Sequence, residues 1–257
     1  MMHNWQRNLL TFLVLLTLQS LKSTHGHATI AHMPNSNQYI YFIISQTKVF
    51  TNPILDVFGY TGFSADLNAI IVTFRSTASV QNWIVNLDAN QVTYPHCDGC
   101  LVHQGFYNGF LGVEGYIRQN VQALLSTYRG AKIMVTGFSL GSALAVFGAM
   151  DIQMIFGKVD EFYSFGQPRV GNELFATYFT KQITTHFRVI HYADVVPHLP
   201  PQTPLPYSHF AYEVWYDETM QKYKLCGAEE YTCSKSILPF KWSSSDHDIV
   251  AYVKLLA

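Results

Sequence analysis

Residues 137–141 read Gly137-Phe138-Ser139-Leu140-Gly141, a G-x-S-x-G pentapeptide. Upstream, Ala131-Lys132-Ile133-Met134-Val135-Thr136 has the length and apolar content of a buried strand. Downstream, Ser142 to Met150 (SALAVFGAM) is small and apolar throughout, as a buried helix requires. A tight strand-to-helix turn makes this pentapeptide a nucleophile elbow. Its glycines relieve crowding around a serine held on a strained corner, at the positive end of a helix. The bare motif also occurs by chance, so its weight comes from the strand before it and the helix after it.

Outward from the elbow, strands alternate with helices. Val57 to Tyr60 and Ala69 to Phe74 read as strands joined by a turn around Thr61-Gly62-Phe63-Ser64. Residues 79–88 read as a short helix, with Val80, Trp83, Ile84 and Leu87 at i, i+3, i+4 and i+7. Residues 106–128 carry one longer helical pattern ending near Gly130. Glu161 to Phe165, Phe187 to Tyr192 and Ala211 to Tyr216 read as strands, 197–206 as a Pro-rich loop, and Asp248 to Leu256 as a closing helix. Residues 39–50 form one segment whose type, helix or strand, is ambiguous. The pattern predicts an α/β fold with a mostly parallel central sheet in one domain, residues 29–257.

Composition narrows the function classes. The 257 residues are 49% hydrophobic and 13% charged, which is ample material for one large core. The formal net charge of −1 comes without a long basic or acidic run, which argues against nucleic acid as a partner. Aromatic residues reach 15%, fitting an aromatic core or an apolar cleft.

The N-terminus reads as a targeting segment: Arg7, then the apolar run Leu9 to Leu18, then polar and small residues ending in Gly26-His27-Ala28. It is too short to span a bilayer and has signal-peptide architecture, a signal anchor being the alternative. Cleavage after Ala28 removes Arg7 and Lys22 and no acid, leaving a secreted chain of charge −3 without a transmembrane segment. No N-x-[ST] sequon is present. Cys97, Cys100, Cys226 and Cys233 make an even count, which in a secreted chain implies disulfides. Sequence alone permits three pairings, of which Cys97–Cys100 with Cys226–Cys233 is the simplest. A redox C-x-x-C is disfavoured because Cys97 lies in a turn-rich stretch after Pro95, and the C-x6-C spacing of the second pair is unusual for zinc.

A serine hydroxyl needs a base, usually histidine, and the base needs a carboxylate. In elbow hydrolases the chain order is serine, acid, histidine. Asp194 is the best acid, at the end of the strand Arg188-Val189-Ile190-His191-Tyr192, where α/β sites are built; Asp160 and Asp217 are alternatives. For the base the choice lies between His247, in a polar loop before the last helix, and His209, with His198 only four residues beyond Asp194. One oxyanion donor is the N–H of Leu140, and the loop Thr73 to Ser79 is placed to give the second.

Several blocks resemble the class 3, fungal-type triacylglycerol lipase family. Thr73-Phe74-Arg75-Ser76-Thr77 with Asn82-Trp83 is similar to F-R-G-[ST]…N-W, and Val102-His103-Gln104-Gly105-Phe106 to V-H-x-G-F. The elbow resembles G-H-S-L-G-G-A-L-A. Phe165 to Asn172 matches F-G-x-P-R-V-G-N, and Asp194 to Pro201 resembles D-x-V-P-x-L-P-P. Together the blocks span residues 57–253 in the family's order.

The resemblance implies an α/β-hydrolase-like fold and a Ser139, Asp194, His247 triad. It places His209 at a structural position, pairs Thr77 with Leu140 in the oxyanion hole, and makes 79–88 a lid with Val80, Trp83, Ile84 and Leu87 on its apolar face. The rival for that segment is an immobile surface helix. Relatives also carry local bridges resembling Cys97–Cys100 and Cys226–Cys233. The implied function is hydrolysis of lipid esters, triacylglycerol first, at an oil–water or membrane interface. The implied enzyme is a monomer with neither metal nor organic cofactor. Phospholipid, galactolipid or feruloyl esters are alternative substrates, and a non-catalytic lipid-binding protein is an alternative of another class. Three departures stand out: Ser76 and Ser142 replace glycines, and Phe138 replaces a histidine. The region before the first block is short, so the long N-terminal helix of many relatives is expected to be reduced or missing.

Overall fold

The computed structural model describes residues 29–32, 39–42, 44–77, 79–85 and 87–253. The expected signal peptide, residues 1–28, and the last residues expected in the closing helix lie outside them. In chain order the elements are β1 (Thr29–His32), β2 (Tyr39–Phe42), β3 (Ile44–Asn52), β4 (Val57–Ser64), β5 (Ala69–Phe74), α1 (Val80–Val85), β6 (Gln91–Thr93) and β7 (Leu101–His103). They continue with α2 (Gln104–Leu111), α3 (Glu114–Thr127), β8 (Lys132–Phe138), α4 (Leu140–Phe156), β9 (Glu161–Phe165), α5 (Glu173–Gln182), β10 (His186–His191), β11 (Glu213–Tyr216), β12 (Tyr223–Cys226) and α6 (Ile249–Val253).

Eight strands form the central sheet in the order β12-β11-β10-β9-β8-β5-β4-β3. From β5 to β11 every neighbour is parallel, and antiparallel strands close both edges. The sheet is therefore mostly parallel, as the α/β reading requires. β8 lies between β5 and β9, buried on both faces from Ile133 onward, which explains its unbroken apolar run. The carboxyl ends of β5, β8 and β10 lead into the loop before α1, into Ser139, and into the loop carrying Asp194.

One face of the sheet packs with Phe106, Ile117, Leu144 and Phe175 from α2, α3, α4 and α5. The other face gathers Met134, Phe138, Tyr163, Val189 and Tyr252. Helix α4 is buried continuously from Gly141 to Ile152 and so is apolar on every side. Its one acid, Asp151, is answered by Arg118 Nε of α3 at 2.9 Å.

Several expected elements differ in the structure. Residues 39–50 are two strands, β2 and β3, instead of one segment. Thr61 to Ser64 continue β4, with Thr61, Gly62 and Ser64 buried, and the turn falls at residues 65–68, where Asn68 takes a φ of 48°. Asparagine tolerates that backbone better than most residues other than glycine. The single helix over 106–128 is two helices, broken at Gly112-Val113, where the Gly112 N–H and Val113 N–H turn back to Asn108 O and Phe110 O. The 79–88 helix shortens to Val80–Val85, leaving Leu87 outside it. Helix α5, the edge strand β12 and the small β6–β7 hairpin were not expected from the sequence. α5 is opened by Asn172, whose side chain accepts from Phe175 N–H at 3.0 Å.

Candidate active site

Ser139 sits between β8 and α4 with φ 56° and ψ −126°. A non-glycine residue held there costs about 1–3 kcal/mol and persists because its surroundings fix it. A Cβ on Gly137 would overlap the backbone of Gly141, and one on Gly141 would overlap the carbonyls of Phe74 and Arg75. The two glycines of the pentapeptide are thus steric necessities, the second because the β5 loop runs against the elbow. Leu140 opens α4, so its N–H has no intrahelical acceptor and points with the positive end of the helix.

The structure brings Ser139, His247 and Asp194 into one hydrogen-bonded chain. Ser139 Oγ lies 2.7 Å from His247 Nε2. His247 Nδ1 lies 2.8 Å from Asp194 Oδ2 and 2.9 Å from Oδ1. All three are buried, at 0%, 3% and 0% exposure. Since Asp194 can only accept, Nδ1 carries the proton and Nε2 presents its lone pair to the serine. That is the tautomer a general base needs.

The surroundings explain why this carboxylate and imidazole stay put. Val196 N–H donates to Asp194 Oδ1 at 2.8 Å, and the Tyr252 hydroxyl donates to Oδ2. The Asp194 segment pairs with Ser243, where Ser243 N–H donates to Ala193 O at 2.9 Å. This ties the Asp194 segment to the short turn Ser245–His247. Phe138 stacks on the His247 ring with centroids 4.8 Å apart and planes 17° apart. The residue that departs from the family's histidine therefore packs the His247 ring. Sequence reading missed Tyr252, whose fifth place after His247 is no recognisable signal, and Gly166, where a Cβ would stand 2.7 Å from His247 Cε1.

The other candidates are engaged elsewhere. His209 Nε2 donates to Pro197 O at 2.7 Å, and burial, then the Arg188 charge, hold its ring well below the ordinary imidazole value, hence neutral. His198 stacks on Trp242 at 4.2 Å. Asp160 accepts from Ile133 N–H at 2.7 Å, and Asp217 caps a surface turn through Thr219, Gln221 and Lys222.

Thr77 lies in the loop that touches the elbow, and its hydroxyl donates to Asp56 Oδ2 at 3.2 Å. Asp56 also holds Arg75 at 2.9 Å, so both sides of that loop are tied to the β3–β4 turn. On α1, Trp83 stacks over Phe106 at 6.0 Å and, with Leu87, packs against the core, whereas Ile84 is half-buried and Val85 is 83% exposed. The side chain of Val80 lies outside the described residues. Cys97 is bonded to Cys100 and Cys226 to Cys233, the pairing the family resemblance implies. Among the described residues no group of three His, Cys, Asp or Glu is placed to hold a metal, and no helix is long and apolar enough to cross a membrane.

This geometry agrees with comparison to known proteins. The family described as Lipase (class 3) matches residues 71–203, just over half of the chain. The chain belongs to the class 3 lipase family. A lipase of Rhizomucor miehei is 34% identical over 185 residues, covering 69% of this chain and 50% of that protein. A secreted mono- and diacylglycerol lipase of Fusarium solani is 38% identical over 148 residues, covering 58% and 44%. A solved triacylglycerol lipase, whose catalytic centre is formed by a serine protease triad, superposes with a TM-score of 0.74 at 32% identity, covering 78% of this chain and 77% of that one. The chain spans about half the length of the sequence relatives it matches. As a class 3 lipase family member it keeps the elbow strand, the elbow and the Asp194 loop inside the matched segment, while His247 lies beyond it.

Proposed function

We propose that this chain is a secreted serine hydrolase of lipid carboxylic esters, with triacylglycerol as its substrate. The observation that carries the reading is the 2.7 Å contact between Ser139 Oγ and His247 Nε2, backed by the Asp194 carboxylate at 2.8 Å from Nδ1. Ser139 attacks the ester carbonyl while His247 takes its proton and Asp194 stabilises the imidazolium. The N–H of Leu140 and the backbone of Thr77 receive the oxyanion, since the Thr77 hydroxyl is committed to Asp56. His247 then protonates the departing alcohol, and water activated by the same base releases the fatty acid. Because Ser139 and His247 are buried, a lipid ester must first displace cover. We assign that role to α1 and the residues just after it, where Trp83 and Leu87 pack against the core. Secretion is supported by the signal-like N-terminus, the two disulfides and the secreted relative from Fusarium. That relative's name makes partial glycerides the second substrate class to compare.

The test is hydrolysis of tri-, di- and monoacylglycerols, dissolved and emulsified, by wild type, Ser139→Ala and His247→Ala. Loss of either group lowers kcat by on the order of 10⁶. Emulsion-dependent activity lost in both variants supports the reading. Activity surviving in Ser139→Ala removes it, and hydrolysis confined to dissolved short esters replaces the lipase with an esterase.

A further inference from the structure

A second histidine beneath the site has an arrangement the proposed mechanism does not use. His191 ends β10 and is 3% exposed. Its Nδ1 lies 3.0 Å from Asp246 O, and its Nε2 lies 3.2 Å from Glu218 O. Both partners are backbone carbonyls, which accept and never donate. A neutral imidazole has one N–H and would turn a lone pair toward the second carbonyl. The imidazolium satisfies both, and the Asp246 carboxylate stands 3.8 Å from Nδ1 to balance it.

The contacts join the two halves of the site. Asp246 immediately precedes His247 in the Ser245–His247 turn, so the Nδ1 bond grips the turn that carries the base. The backbone of His191 serves the acid: Asp194 N–H donates to His191 O at 3.0 Å, and His191 N–H donates to the Tyr252 hydroxyl, which donates onward to Asp194. The Nε2 bond anchors the same ring to the turn after β11.

We infer that His191 is a positioning residue that clamps the His247 turn to the Asp194 strand as an imidazolium. The inference rests on the proposed Ser139–His247–Asp194 chemistry. The titratable side chains placed against the ring are Asp246 from the turn and Tyr252 from α6, and the neighbouring elements also carry Glu218 after β11, Tyr216 in β11 and Asp194 in the loop after β10. Both carbonyls receive an N–H only when both ring nitrogens carry a proton.

The experiment combines two readouts. Proton–nitrogen correlation spectra of wild-type protein labelled at histidine nitrogen are expected to show both ring nitrogens of His191 protonated at the pH of full activity, in the signal that His191→Gln removes. His191→Gln keeps a donor but cannot charge. It is expected to lower kcat on a soluble ester by between ~10- and ~100-fold, the scale of a misplaced catalytic group, with KM little changed. A spectrum showing one protonated nitrogen, or a variant keeping the wild-type kcat, overturns the clamp. If His191→Gln fails to fold, the wild-type spectrum decides alone, its signal assigned through bonds. Activity surviving in Ser139→Ala overturns the underlying triad instead, a failure the spectrum does not share.

Discussion

Tyr252 and His247 share one carboxylate: the phenol donates to Asp194 Oδ2 while the imidazole holds both oxygens from the other side. Burial, then the Asp194 charge, keep the phenol's ionisation well above its ordinary value, so it stays a donor. Tyr252→Phe leaves the ring in place and removes that donor. A hydrogen bond to a charged group contributes about 1.5–3 kcal/mol. Without it the carboxylate is held less firmly against His247. The expected result is a lower kcat, with KM for a dissolved ester unchanged. A variant with wild-type kcat removes Tyr252 from the site's support.

Gly166 closes the site from β9. It has φ 53°, and a Cβ there would lie 2.7 Å from His247 Cε1 and 2.9 Å from Asp194 Oδ2. Gly166→Ala is expected to cost about 1–2 kcal/mol from the left-handed backbone alone. Pushing the imidazole aside is expected to lower kcat by about 10²-fold. Thermal unfolding and kinetics measured on the same preparation separate the two effects. A variant with wild-type kcat means the imidazole has room to give way.

How much of this was legible in the sequence depends on how local each feature is. The elbow is contiguous, so Ser139 reads directly from the string, although only Gly137 answers to backbone nearby and Gly141 answers to Phe74 and Arg75. Asp194 reads from its place after an apolar strand. The histidine partner of Asp194 stays open between His247 and His209 in the sequence because both follow it, and the tertiary path alone sends His209 to Pro197 O. The break at Gly112-Val113 was hidden because apolar residues keep their helical spacing across it. Strand β12 was hidden because it is an edge with Lys224 and Leu225 exposed, which erases the alternation of a half-buried strand. Tyr252 and His191 are invisible to motif reading, because their partners converge from α6, β10 and two turns.

Glu229 makes a prediction about acid stability. It accepts from Arg169 Nε at 2.8 Å and Nη2 at 3.1 Å, and Arg169 Nη1 in turn donates to His198 O and Pro200 O in the loop after Asp194. Burial alone would raise this carboxyl, but the Arg169 hydrogen bond and the Arg169 and Arg188 charges outweigh it and bring it down to about 2. A depressed carboxyl adds stability above its unfolded value of 4.5, and that stability is lost as pH falls toward 2. The stake is roughly 3 kcal/mol. Urea midpoints of wild type are expected to fall through this window. Glu229→Gln is expected to be less stable at pH 7 and to show a flatter acid dependence, and parallel curves for the two proteins would remove the assignment.

Trp83 offers the means to separate a moving cover from a fixed surface helix. Its ring stacks over Phe106, with planes 21° apart, and α1 has only six residues, too few to stand without such anchors. If α1 covers Ser139, Trp83→Ala weakens the closed arrangement more than the open one. Weakening it by about 1 kcal/mol raises the open population roughly fivefold while that population is small. Activity on a dissolved short-chain ester is then expected to rise by about that factor, and the extra rate gained on adding an emulsion is expected to shrink. A fixed helix predicts the opposite sign, because a lost core contact can only loosen a site already open to substrate. Unchanged or lower activity on the dissolved ester, with the emulsion response intact, would return α1 to the role of a packed surface helix.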